Sequence, residues 1–108
     1  MLTKSELPEC PVATTVQIIG SKWKLLILRN LMFDGKQRFK DFMKTIPAIS
    51  KKVLTDNLRS LENDGLIERE VFAEVPPRVV YSLSPLGNSL KSVLDAMFEW
   101  GTDYKNNM

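Results

Sequence analysis

The sequence predicts a mainly helical α+β domain, and three observations carry that prediction. Four segments with helical apolar period fill the chain as far as Gly65. Two segments of alternating period follow, on either side of a Pro-Pro pair, which is the pattern of a hairpin. A last helical segment opens at Ser84-Pro85. A length of 108 residues, 44% of them hydrophobic and 26% charged, fits one globular domain with one core. Repeats, low-complexity tracts and Gly/Ser linkers are absent, so 1–108 reads as one unit whose residues 1–9 are flexible.

Pro11, after Cys10, suits the first turn of a helix, and Val12, Val16 and Ile19 repeat at i, i+4 and i+7. Gly20 interrupts, and Ser21 caps a second helix from about Lys22 to Met32. That segment, KWKLLILRNLM, is apolar round most of its circumference and is predicted to be the buried centre. Phe33-Asp34-Gly35 makes the turn. A shorter third helix starts near Arg38, places Phe39, Phe42, Met43 and Ile46 on one side, and stops at Pro47. Ser50 caps a fourth helix in which Leu54, Leu58 and Leu61 share one side, and Gly65-Leu66 predicts a glycine-terminated end.

Beyond Gly65 the period changes. LIEREVF alternates Glu68 and Glu70 with Ile67, Arg69 and Val71, and RVVYSL places Val79, Tyr81 and Leu83 on one side. AEVPPR, between them, is a hairpin tip stiffened by proline. From Ser84-Pro85 one continuous helix is predicted to about Tyr104. Its apolar residues cover more than one stripe, and the surplus points to a second copy of the chain as partner. This order is the layout of a winged helix-turn-helix. The recognition helix spans 50–65, the two-stranded β-hairpin wing 66–83 and a dimerisation helix 84–104.

Composition narrows the function. The chain has one cysteine and no histidine, which removes an intrachain disulfide, the commonest metal ligand and every Ser-His or Cys-His pair. No spacing announces a carboxylate or lysine active site, so neither an enzyme nor a cofactor is expected. Apolar runs fall short of the roughly 20 residues that cross a bilayer, and the first residues lack a signal-peptide core. A cytoplasmic protein with no membrane partner is expected. The net charge of +2 hides an asymmetry: residues 1–52 carry ten Lys/Arg against four Asp/Glu, and residues 53–108 five against nine. A basic half of this kind fits a polyanion.

On a wheel of about 100° per residue, Lys52, Thr55, Asp56, Arg59 and Asn63 lie roughly 100° to 200° from Leu54, opposite the core. In a major groove Lys52 and Arg59 can meet guanine edges or phosphates, and Thr55 a phosphate or thymine methyl. Asp56 either accepts from a cytosine amino group or turns along the helix to Arg59 or Ser60. Ser50 and Lys51, at the amino end, can meet a phosphate with help from the helix dipole. Arg78, beside Pro76-Pro77, reads either as a wing arginine aimed at DNA or as a strand-edge arginine paired with Glu74. Lys22, Lys24 and Arg38 are candidate clamps for flanking phosphates. A solvated charged surface is the alternative for all of them.

Nearly the whole chain from Cys10 onward resembles the HxlR-type transcriptional regulators, a MarR-related group. The resemblance lies in CPVATTVQIIGSKWKLLILRNL, RFKDF, ISKKVLTDNLRSLENDGLIERE, EVPPRVVYSLSPLGNSL and Trp100-Gly101. It implies a sequence-specific regulator that binds double-stranded DNA as a homodimer on a pseudo-palindromic operator, joined through its first and last helices. Some such proteins sense oxidants or electrophiles through an N-terminal cysteine, which makes Cys10 a redox-sensing candidate and an oxidant or small molecule a candidate effector. The helix dipole at Cys10 favours thiolate, while Glu6 and Glu9 oppose it. Cys10 as a small residue packed at the dimer seam is the other reading. The sequence departs from the family at Ser21, Lys51, Asp56 and Val80. A winged-helix protein-interaction module without DNA binding is the alternative function.

Overall fold

The computed structural model of the chain describes residues 2–108, so of the segment expected to be flexible, Met1 lies outside the described residues. One turn of 3-10 helix (Lys4–Glu6) precedes α1 (Pro11–Ile19), α2 (Lys22–Asp34), α3 (Phe39–Thr45) and α4 (Lys51–Asn63). The hairpin β1 (Ile67–Phe72) and β2 (Arg78–Leu83) follows, then α5 (Pro85–Asn88) and α6 (Lys91–Asn106). This is the α+β, mainly helical winged helix-turn-helix that the sequence predicts.

The helix starts obey their caps. Ser21 Oγ accepts from Lys24 N at 3.0 Å, and Ser50 Oγ accepts from Val53 N at 3.1 Å. Each cap contributes about 1 kcal/mol. The carboxyl end of α4 forms a Schellman motif: Gly65 N donates to Glu62 O and Leu66 N to Leu61 O, both at 3.0 Å. Gly65 takes φ 79°, a left-handed conformation that a side chain resists. The turn between α3 and α4 holds Ala48 at φ 63°, also left-handed but without glycine's freedom.

The core has α2 and α4 at its centre. Ile27, Leu28, Phe42, Ile46, Leu54, Leu58 and Leu61 are completely buried or nearly so. Burying the three α4 leucines contributes roughly 5–9 kcal/mol before the entropy of ordering them is subtracted. The hairpin is antiparallel, with Ile67 opposite Leu83, Arg69 opposite Tyr81 and Val71 opposite Val79. Tyr81 meets Phe42 edge-on, with ring centroids 6.1 Å apart. Gln37 adds a bridge that periodicity did not reveal, exchanging backbone hydrogen bonds with Tyr81 at 3.0 and 2.7 Å. A one-residue strand has no period to read.

The last helix is interrupted, contrary to the continuous span predicted from Ser84. Ser89 N and Leu90 N make tight i−3 bonds to Leu86 O and Gly87 O, and Ser89 Oγ bonds back to Leu86 O. These bonds compete with the α-helical ladder. The short α5 is held by Gly87, where any Cβ would collide with the Leu66 carbonyl. Beyond the break α6 buries only Leu94, and α1 buries only Ile19. The radius of gyration of 15.0 Å accordingly exceeds the about 13 Å of a compact chain of this length.

Urea unfolding checks the two left-handed positions. Gly65→Ala is expected to lose about 1–2 kcal/mol, and Ala48→Gly to be neutral or to gain up to about 1 kcal/mol. Leu58→Ala is expected to lose about 2–5 kcal/mol.

Candidate nucleic-acid interface

The outer face of α4 is built by its inner one. Because Leu54, Leu58 and Leu61 anchor the helix in the core, Lys51, Lys52, Asp56, Arg59 and Asn63 are held in solvent on the other side. Two contacts that sequence reasoning missed set the pose of the helix. Asn57 Nδ2 donates to Val53 O at 2.7 Å, while its Oδ1 accepts from Ser21 Oγ at 3.4 Å, tying α4 to the start of α2. Arg69 Nε stands 3.6 Å from Glu62 Oε2, tying α4 to the wing. Asn57 lies only about 60° from Leu54 on the wheel, a half-buried position where an amide needs a partner.

On the outer face Lys52 Nζ donates to Asp56 Oδ2 at 2.8 Å. Asp56 therefore turns back one helical turn to Lys52, and not forward to Arg59 or Ser60. The bond to the carboxylate raises the Lys52 pKa above the ordinary lysine value, so its ammonium remains charged through neutral pH. Lys51 and Arg59 are exposed and form no ion pair among the described residues. Ser50 is exposed, and its hydroxyl oxygen serves as the cap. Thr55 is half-buried and joins Arg59, Glu62, Arg69 and Tyr81 in a polar cavity of about 240 Å³ between α4 and the wing. Burial pushes the Tyr81 phenol up, which leaves it neutral there.

The other basic candidates are held in different ways. Arg78 is folded against the wing: its guanidinium lies 4.1 Å from the centre of the Phe72 ring and 3.3 Å from Glu74 Oε1. Its Nε is buried without a hydrogen-bond partner among the described residues. The strand-edge pairing is thus the arrangement present, because Phe72 faces Arg78 directly across the hairpin. Arg38 shares a cleft with Arg78, Lys36 and Glu70, and its backbone N–H donates to Asp41 Oδ2 at 2.8 Å. Lys24 is turned inward, with Nζ donating to Ile18 O at 3.4 Å. Lys22 remains exposed, 4.8 Å over the Trp23 ring.

Cys10 is an exposed free thiol at the N-cap of α1. The segment before it is tied to α1 by Thr14 Oγ1, which donates to Pro8 O at 2.9 Å. Glu6 accepts from Thr3 Oγ1 at 2.6 Å and Thr3 N at 3.2 Å, and these bonds hold its carboxyl below the usual glutamate range. Among the described residues no three His, Cys, Asp or Glu side chains are grouped to hold a metal ion. No helix of the described residues is long and apolar enough to cross a membrane.

This geometry has close relatives. The profile of the HxlR-like helix-turn-helix family matches residues 18–108. The HTH-type transcriptional regulator YdeP of Bacillus subtilis (strain 168) is 50% identical over 97 residues, covering 90% of this chain and 75% of that protein. The redox regulator HypR in its reduced form superposes with a TM-score of 0.85 at 43% identity, over 89% of this chain and 94% of HypR. Its oxidised form gives 0.81 at 45% identity, over 87% and 96%. A MarR-family regulator from Enterococcus faecalis V583 gives 0.80 at 34% identity, over 99% and 96%. A recognition helix and wing of this geometry, within a match that spans most of the sequence, mean that the chain belongs to the HxlR-like helix-turn-helix family of transcriptional regulators.

Proposed function

We propose that the protein is a cytoplasmic, homodimeric regulator that binds a pseudo-palindromic operator through α4 and answers to oxidants or electrophiles through Cys10. The observation that carries the DNA contact is the outer face of α4, with Lys51, Lys52 and Arg59 in solvent opposite three buried leucines and the wing alongside. In this reading Lys52, Thr55, Asp56 and Arg59 face base edges, and Ser50 and Lys51 meet a phosphate at the helix start. Lys22 and Arg38 flank the backbone contacts. Arg78 and Lys24 must leave their internal partners to join them.

Surface area supports the dimer. The chain exposes 7511 Å², against about 6,100 Å² expected for a 12.3 kDa monomer, an excess on the scale of one partner's share of a large homodimer interface. Val12 and Val16 on α1, and Met97, Phe98, Trp100 and Tyr104 on α6, supply apolar surface to it. Two α4 helices then enter major grooves roughly 34 Å apart. For Cys10, the support is its exposure and the likeness to HypR, a redox regulator. With one cysteine per chain, a disulfide joins Cys10 either to a second copy or to a small thiol.

Selection of bound genomic duplexes, followed by titration at several salt concentrations, tests the DNA reading. Affinity is expected to fall steeply with salt, and Lys51→Ala to reduce the slope by about 1. Lys52→Ala and Arg59→Ala are expected to cost about 1–3 kcal/mol on the selected site and to relax its sequence preference, whereas Arg78→Ala weakens all duplexes alike. Wild-type binding by all three of these variants would place the interface elsewhere. Separately, oxidant is expected to change the affinity of the wild type and not of Cys10→Ser; a wild type indifferent to oxidant removes the sensing role.

A further inference from the structure

We propose that Lys52 and Asp56 work together as a donor–acceptor dyad that reads one G·C base pair in each half-site, which makes Asp56 a specificity-determining residue. The inference rests on the DNA-binding reading above. It starts from the 2.8 Å contact between Lys52 Nζ and Asp56 Oδ2, an ion pair on the outward face of α4. The two side chains are 84% and 55% exposed, so the pair is presented to solvent and not folded into the protein. One ammonium hydrogen and one carboxylate oxygen are engaged in this bond. Two N–H donors of Lys52, the second oxygen of Asp56 and a further lone pair on Oδ2 stay available.

In the major groove a G·C pair offers guanine N7 and O6 as acceptors and then the cytosine N4 amino group as donor. O6 and N4 are themselves joined by an N–H···O bond of about 2.9 Å. That separation matches the spacing of Nζ and Oδ2 in the protein. The ammonium can sit over O6 and N7 while the carboxylate accepts from N4, with no like groups opposed. An A·T pair reverses the match: a carboxylate over adenine N6 lies beside the N7 lone pair, and an ammonium over O4 lies beside the thymine methyl. The order of the two residues along the helix makes the contact directional, so a G·C pair is distinguished from its C·G inversion. The dyad also explains how a carboxylate is tolerated on a surface that approaches a polyanion, because Lys52 neutralises it in the free protein.

The test uses the full chain and a duplex selected by the wild type, with each base pair replaced in turn. At one G·C pair per half-site the wild type is expected to lose about 5- to 150-fold on replacement by A·T or on inversion. Asp56→Ala is expected to lose less than about two-fold at that pair while discriminating normally at the others. Asp56→Asn is expected to move the preference there toward adenine, which an amide can contact at N6 and N7. Uniformly tighter binding by Asp56→Ala, with every base preference intact, would show that Asp56 only repels and would overturn the dyad alone. A wild type that selects no duplex overturns the DNA-binding reading, and the dyad with it.

Discussion

The fold depends on one small polar junction beneath the wing. Leu66, the residue that closes α4, gives its N–H to Leu61 O and receives Ser84 N on its own carbonyl at 3.1 Å. Ser84 Oγ donates to Gly65 O at 2.5 Å and accepts from Gly87 N at 3.0 Å. The end of α4, both feet of the hairpin and the start of α5 are therefore joined through four residues. Ser84 is 7% exposed, so water cannot replace these bonds, and the orphaned groups of each helix end find partners in the other elements. Gly87 lacks a side chain because the Leu66 carbonyl occupies that space.

From this junction α4 inherits its orientation. Its carboxyl end is held by the glycine turn, its middle by Asn57 against Ser21, and its side toward the wing by Glu62 against Arg69. These contacts fix the backbone of the exposed face, while Lys51 and Arg59 on it have no ion-pair partner among the described residues. A face of this kind confines the ordering entropy of any contact it makes to a few side chains. By contrast α1 and α6 stand off the core, one buried residue apiece, and leave apolar side chains exposed.

Much of this was legible before any coordinates. Ser21 and Ser50 cap as read, Gly65 ends α4 as read, and the hairpin pairs the side chains that alternation had grouped. Local rules sufficed there because each depends on residues within one turn or one strand pair. The partners of charged side chains were less legible. Asp56, Lys24 and Arg78 carry long or charged side chains whose partners are chosen by what packs nearby: Lys52 one turn back, the carbonyl of Ile18, and Phe72 across the hairpin. Gln37 and the break after Asn88 were invisible for a related reason, since each depends on contact with a distant segment.

Sequence alone determined the element order, the inward stripe of Leu54, Leu58 and Leu61 and hence which residues of α4 face outward, because period and capping are properties of neighbouring residues. Only the tertiary structure decided how that helix is oriented and where the basic side chains outside it find partners. The wing arginine laid on Phe72, Lys24 turned to the Ile18 carbonyl and the short α5 wedged under Leu66 each follow from distances across elements. Such distances are set when the core closes, and no local pattern encodes them.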